Sequence, residues 1–414
     1  MTIAQSELAL KVKGLRMNFY TYEGVVKALD GVEIRLKRGD TMGIVGETGC
    51  GKSVTAKCIL RLIEPPGRIE GGQVLIYDTD PQTGKVVERD ILKLTTEEML
   101  DIRGNRISIV FQDPATYPNP VFRVGDQIAE VVLLHQDLRR DALQLKIDEL
   151  RGMLSAAEGD ATQVGEHKDS CESGEPVRAR SLSPEKMAKI REQIAKYESM
   201  LENPPKPDKK YAKKAAMRRA IEMLRMVKMP SPDRVAMQYP HELSGGMRQR
   251  ALIAMALASN PLLLICDEAT TALDVTVQAQ VLNLLNELKK EIGSSIMIIT
   301  HDLGVVAETC NSVTVMYAGN TVESASTKEL FENPVHPYTI GLLQAIPKLH
   351  ENKERLDQIL GTVPNLINPP SGCRFHPRCE YATAECSGVK PELKEVRPGH
   401  WVACYHPQGR VGGE

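Results

Sequence analysis

The chain has 414 residues, a net charge of −2, and ordinary hydrophobic (42%) and charged (26%) fractions. That length allows two or three domains, and the even charge balance gives no electrostatic argument for nucleic acid as a partner. No stretch approaches about 18 uninterrupted apolar residues, and Met1 to Leu8 lacks the basic and apolar regions of a secretory signal, so neither a transmembrane helix nor export is expected.

In chain order, Leu8-Leu10-Val12 and Val32-Ile34-Leu36 alternate as antiparallel strands that lead into a core strand at Met42 to Val45. Residues 46 to 53 then read Gly46-Glu47-Thr48-Gly49-Cys50-Gly51-Lys52-Ser53, a complete G-x-x-x-x-G-K-S phosphate loop. Val54 to Ile63 follow with helical spacing, so the motif sits between strand and helix as it requires. The glycines let the backbone wrap closely around phosphates, and amides at the helix start point at the anion. Lys52 is expected to reach the β- and γ-phosphates, and Ser53 to ligate Mg²⁺.

Residues 70 to 110 read as short strands and turns, with Gly71-Gly72 as a turn before Val74 to Tyr77, and end in the apolar run Ile107 to Phe111. Residues 127 to 230 look helical with interruptions. Within them, about 138–215 forms a charged insert. Leu143, Ile147, Leu150 and Leu154 make one apolar stripe, and Met187, Ile190, Ile194, Tyr197 and Leu201 a second. Ser183-Pro184 is a helix start and Asn203-Pro204-Pro205 a helix end. These signals predict an antiparallel helical hairpin with a flexible tip over 157–180.

From 257 to 323 strands and helices alternate again: Leu262 to Cys266, a helix over 276–290, Ile296 to Ile299, a helix over 303–309, and Val313 to Tyr317. Alternation around a phosphate loop predicts a parallel α/β core with ligands at the carboxyl ends of its strands. Three motifs add chemistry. Leu262 to Cys266 ends in Asp267-Glu268, placing one acid for the Mg²⁺ shell and the other to polarise the attacking water. Leu243-Ser244-Gly245-Gly246 opens a helix and makes a second anion site. Thr300-His301-Asp302 follows a strand and suits contact with a γ-phosphate.

This order of motifs resembles the ATPase subunits of ATP-binding-cassette (ABC) transporters. It runs from the phosphate loop through Gln112, Leu243-Ser244-Gly245-Gly246, Asp267-Glu268 and Ala272-Leu273-Asp274 to His301. The resemblance implies ATP and Mg²⁺ as ligands, with residues 46–54 (through Val54) on the nucleotide. It makes Gln112 the Q-loop residue on Mg²⁺ together with Ser53 and Asp267, Glu268 and His301 the hydrolytic pair, and Asp274 part of the D-loop. Ser244, Gly245 and Gly246 would grip the γ-phosphate held by a second subunit. An aromatic is implied against adenine. Phe19, Tyr20 and Tyr22 are the candidates, with Tyr22 preferred. The family's usual proline after the glutamate is replaced by Ala269, which frees a backbone N–H and a φ angle.

Phe111-Gln112-Asp113-Pro114, Tyr239 to Arg250 and Asn333-Pro334-Val335-His336-Pro337-Tyr338-Thr339 are similar to the oligopeptide, dipeptide and nickel importer branch. The implied architecture has a P-loop ATPase core with a parallel sheet over residues 1–330. It carries an N-terminal antiparallel β subdomain and a helical subdomain over about 113–255 bearing the insert. An irregular extension at 331–414 follows. The implied partners are two membrane permeases, a second and different ATPase subunit, and an extracytoplasmic substrate-binding protein acting indirectly. The implied location is peripheral, on the cytoplasmic face of the membrane. Peptides are the default cargo, with oligosaccharides or nickel as alternatives. A soluble cassette ATPase of DNA repair or translation is the other class, and an ATP-binding cassette without hydrolysis the third.

Four of the nine cysteines, Cys373, Cys379, Cys386 and Cys404, fall in the last tenth of the chain. In a reducing compartment such a cluster points to metal before disulfides. The spacings are wider than those of zinc ribbons and compatible with a [4Fe–4S] cluster, with Zn²⁺ as the alternative. Cys-x-Phe-x-x-Arg-Cys also resembles the tail of peptide-importer ATPases that carry such a cluster. His376, His400 and His406 lie nearby as substitute ligands.

Overall fold

A computed structural model describes residues 7–80, 83–112, 116–163 (backbone alone at 158–163), 183–269, 274–345 and 359–409. β1 (Leu8–Thr21) and β2 (Gly24–Lys37) form a long antiparallel hairpin, and β3 (Thr41–Val45) leads through the phosphate loop into α1 (Lys52–Ile59). β4 (Gly67–Thr79) and β5 (Val86–Asp90) complete an antiparallel sheet of order β2-β1-β4-β5. The Gly71-Gly72 pair does not make the predicted turn. It lies inside β4, where the pairing with β1 shifts register between Lys13 and Met17. Gly72 has φ 103°, and a Cβ there would lie 2.6 Å from Leu15 Cα, so the pair serves a β-bulge that brings two backbones together.

α2 (Thr96–Ile102) starts on a capping box between Thr95 and Glu98, a helix missing from the sequence reading, and β6 (Ile107–Val110) follows. Five helices come next: α3 (Val124–His135), α4 (Arg139–Gln163), α5 (Pro184–Ser199), α6 (Lys209–Met226) and α7 (Pro232–Ala236). They form a compact unit, Pro120–Tyr239, separate from the rest of the chain. Within it α4 and α5 pack as the expected hairpin around Leu143, Ile147, Leu154 and Ile194, with Leu150, Met187, Ile190 and Tyr197 at the margin. Ser183 caps α5 by accepting the Lys186 N–H, with Pro184 at the first turn. Most of the predicted flexible tip lies outside the described residues.

α8 (Gly245–Leu257) groups with the core unit, Met1–Asn119 and Pro240–Glu414, so the helical unit ends earlier than residue 255. β7 (Leu263–Asp267), α9 (Val275–Ile292), β8 (Ser295–Ile299), α10 (Leu303–Thr309) and β9 (Ser312–Tyr317) supply the parallel core in register order β9-β3-β8-β7-β6. β3, β7 and β8 are buried at every position, as unalternating apolar strands covered on both faces should be.

β10 (Asn320–Ser326), α11 (Thr327–Glu332), α12 (Pro337–Gln344), α13 (Ala384–Gly388), β11 (Lys394–Arg397) and β12 (His400–Val402) follow. The extension is therefore not wholly irregular. β12 pairs with β10 and β11 with β12, continuing the core sheet to eight strands. No helix among the described residues is long and apolar enough to cross a membrane.

Candidate nucleotide site

Two glycines show why the phosphate loop admits no side chain at its bends. Gly46 has φ 151°, and a Cβ there would lie 2.2 Å from the Met316 carbonyl oxygen. Gly51, the N-cap of α1, has φ 101°, and its Cβ would meet Leu29 Cδ2 at 2.7 Å. No side chain caps α1, which leaves its first amides for an anion. Lys52 is buried, and its ammonium donates to the carbonyls of Gly46 (2.8 Å) and Glu47 (3.1 Å) across the loop. Cys50 is buried, and burial pushes its thiol up, which disfavours the nucleophilic thiolate. Val54 packs against the main core.

β3 and β7 both flank β8, which brings two distant segments to one edge. Ser53 Oγ donates to Asp267 Oδ1 at 2.8 Å, although 214 positions separate them. Asp267 is buried, and desolvation raises its carboxyl above the usual range against the Ser53 hydrogen bond and the neighbouring Lys57 and Lys52. A divalent cation beside Ser53 and Asp267 would remove that penalty.

Glu268 lies one residue on and is the centre of the second cluster. Gln112 Nε2 donates to its Oε2 at 2.8 Å, and His301 Nδ1 lies 3.5 Å from its Oε1. Its backbone is in the left-handed region (φ 47°), an uncommon conformation for a residue with a Cβ, held by its N–H on the Ile299 carbonyl at 2.9 Å. The turn bearing His301 is fixed by residues the sequence reading left without a role. Thr300 Oγ1 accepts the Asp302 N–H, and Asp302 caps α10 through the amides of Gly304 and Val305. An Asp immediately before a helix is the signal that could have found this cap.

The signature residues form a separate helix start. Ser244 accepts the Met247 N–H and caps α8, and Asp274 accepts the Val277 N–H and caps α9. The two starts are neighbours, since a Cβ on Gly246 would lie 2.9 Å from Val277 Cγ1. Ala272 and Leu273, like Asp113 and Pro114, lie outside the described residues.

The three candidate aromatics separate clearly. Phe19 packs against the core, and Tyr20 donates to Glu70 Oε1 at 2.8 Å with the Arg68 guanidinium over its ring. Tyr22, at the β1–β2 turn, is 98% exposed.

Cys373, Cys379, Cys386 and Cys404 converge on one small cavity of about 10 Å³, with Phe375, His376 and His406 also on its wall. All four are unpaired thiols. Burial raises the thiols of Cys373 and Cys379, and pushes Cys404 up to about 12. Among the described residues no three His, Cys, Asp or Glu side chains are grouped to hold one metal ion. His400 is not available as a ligand, because it is buried against Glu323, with 2.8 Å between Nε2 and Oε1.

Two family models match the chain: "ABC transporter" over residues 29–271, and "Oligopeptide/dipeptide transporter, C-terminal region" over residues 322–386. The chain is 41% identical to the probable peptide ABC transporter ATP-binding protein y4tR of Sinorhizobium fredii, over 97% of this chain and 96% of that one. It is 39% identical to the oligopeptide transport ATP-binding protein OppD of Escherichia coli, over 97% and 94% of the two chains. To the protein of the same name in Bacillus subtilis it is also 39% identical, over 96% and 89%.

Proposed function

Because the chain belongs to the ATP-binding-cassette transporter family, whose cassettes hydrolyse ATP with Mg²⁺, we propose that it is the ATPase subunit of a substrate-binding-protein-dependent importer of di- or oligopeptides. One observation carries the cargo. The same chain joins a hydrolytic cluster to a tail that matches the oligopeptide/dipeptide transporter C-terminal region.

Lys52 and the amides opening α1 bind the phosphates, and Tyr22 stacks on adenine. Ser53, Asp267 and Gln112 would hold Mg²⁺, which when bound would supply charge neutralisation at the phosphates. Glu268 polarises the attacking water, and His301 orients that water against the γ-phosphate. Positioning and electrostatics supply most of the rate in this chemistry. Ser244, Gly245 and Gly246 face the nucleotide of a second, related but different ATPase subunit, and Asp274 lies at that junction. Two permease subunits receive the motion at the cytoplasmic face of the membrane, a substrate-binding protein acts from outside, and nucleic acid has no part.

We infer that the four cysteines, which line one cavity in a tail resembling those of cluster-bearing peptide-importer ATPases, hold a [4Fe–4S] cluster. Zinc needs its four sulfurs about 4 Å apart, given Zn–S bonds of about 2.3 Å, whereas a cluster takes the uneven, wide cysteine spacing of this tail. When bound, the group would cross-link Cys373, Cys379, Cys386 and Cys404 as a structural staple. Anaerobically purified protein is expected to absorb near ~400 nm and to hold about four irons per chain. One zinc and no iron would contradict the cluster. The cargo is tested by uptake of a labelled tripeptide in cells deleted for this chain. Uptake should be lost, and the wild-type chain should restore it where the Glu268→Gln variant does not. Unchanged uptake in the deletion strain would contradict a peptide cargo.

A further inference from the structure

Glu47, the second residue of the phosphate loop, is gripped twice by the C-terminal extension. Its backbone N–H donates to the Tyr338 hydroxyl at 2.9 Å, and Tyr338 is fully buried. Its carboxylate takes Arg378 Nη1, which lies 3.1 Å from both oxygens. Arg378 is not a loose surface cation. Its side chain is 7% exposed, Nε donates to the Leu360 carbonyl at 2.8 Å, Nη2 to the Ile359 carbonyl at 3.2 Å, and Nη1 also to the Tyr317 hydroxyl at 3.3 Å.

The surroundings make this grip stiff. Arg378 lies on the turn between Cys373 and Cys379, and Phe375 of that turn packs against Tyr317 (5.1 Å between centroids) and Tyr338 (5.3 Å). Tyr317 ends β9, which is paired with β3, the strand that delivers the loop. The preceding residue, Met316, places its carbonyl against Gly46. The cysteine-lined turn is thus one wall of the phosphate loop.

Two physical needs meet at Arg378. A loop with glycines at positions 46, 49 and 51 has more backbone freedom to lose than most, so outside contacts that fix its shape lower the entropy cost of binding. A carboxylate inside a loop that receives a triphosphate also repels its ligand unless it is neutralised and turned away.

We propose that Arg378 is a positioning residue for ATP binding. It neutralises Glu47 and holds the phosphate loop in its anion-binding shape, and so ties this cassette's nucleotide affinity to the cysteine-lined turn. The inference rests on residues 46–53 being the ATP site.

The test is a double-mutant cycle on the full chain, read by the Kd of a fluorescent ATP analogue and by the KM and kcat of hydrolysis. Arg378→Gln is expected to weaken Kd and raise KM about tenfold, as the loss of a charge-assisted pair implies, with kcat within about twofold. Arg378→Lys, which keeps the charge, should recover part of the affinity. Glu47→Gln combined with Arg378→Gln should bind better than Arg378→Gln alone, because the carboxylate needing neutralisation is gone. A merely structural arginine predicts no rescue by Glu47→Gln. Unchanged affinity in Arg378→Gln, or a double variant as weak as that single variant, overturns the proposal. Failure of the wild-type chain to bind the analogue would instead overturn the nucleotide-site reading.

Discussion

Replacing Glu268 with glutamine is expected to lower steady-state ATP hydrolysis by about 10²- to 10⁴-fold while leaving MgATP bound. The glutamate directly follows β7, and its two carboxylate oxygens face Gln112 and His301. Glutamine keeps the volume and one acceptor but cannot take a proton from water. In the proposed mechanism phosphate binding falls to other groups, Lys52 and the α1 amides, so KM should change far less than kcat. Single-turnover hydrolysis with radiolabelled ATP, alongside equilibrium binding, separates the two terms. A rate within about threefold of wild type would remove Glu268 from the chemistry. The left-handed backbone of Glu268 makes the swap a good probe, since neither residue is favoured in that conformation and the strain is common to both.

The second large effect is on stability. Glu323→Ala is expected to destabilise the core unit by about 3–5 kcal/mol, because it strips the acceptor from a buried, hydrogen-bonded group. Glu323 is fully buried. Its Oε1 accepts the Val335 N–H and faces His400 Nε2, and its Oε2 accepts the His336 N–H, at distances of 2.8 to 2.9 Å. The one carboxylate thus ties β10 to the segment before α12 and to β12. Its removal leaves two amides and His400 Nε2 without this acceptor in a buried site, while His400 Nδ1 keeps Glu329 Oε1 at 3.3 Å. Urea unfolding monitored on Trp401, which lies in β12, reports the loss, and limited proteolysis should cut the extension first. An unfolding midpoint equal to wild type would show that the extension is held by other contacts.

The contrast between these two sites explains how far the sequence could be read. The phosphate loop was legible because its chemistry is local. Eight consecutive residues carry the glycines, the lysine and the hydroxyl, and flanking patterns mark the strand and helix. The Ser183 cap and the two apolar stripes of α4 and α5 are local signals too. The cluster of Gln112, Glu268 and His301 is not local, and only the resemblance joined its members. Strand order β8-β7-β6 assembles them.

The contacts between the extension and the core were invisible. Arg378 and Glu47 are 331 positions apart, and His400 and Glu323 are 77 apart. No periodicity announces a buried ion pair across such a distance. β11 and β12 span four and three residues, too short for an alternation to register. Gly71-Gly72 was misread for a different reason. Glycine pairs usually punctuate, but here pairing with β1 carries the strand through, and the glycines serve the close approach at Leu15.

Coupling of ATP hydrolysis by this chain to peptide import can be measured in proteoliposomes. They would hold the chain, its partner ATPase and both permeases, with the substrate-binding protein added on the opposite face. Hydrolysis should rise when peptide-loaded binding protein is added, and labelled peptide should cross the membrane with it. Both signals should vanish with Glu268→Gln. Hydrolysis indifferent to loaded binding protein, with no peptide crossing, would rule out peptide import by this chain.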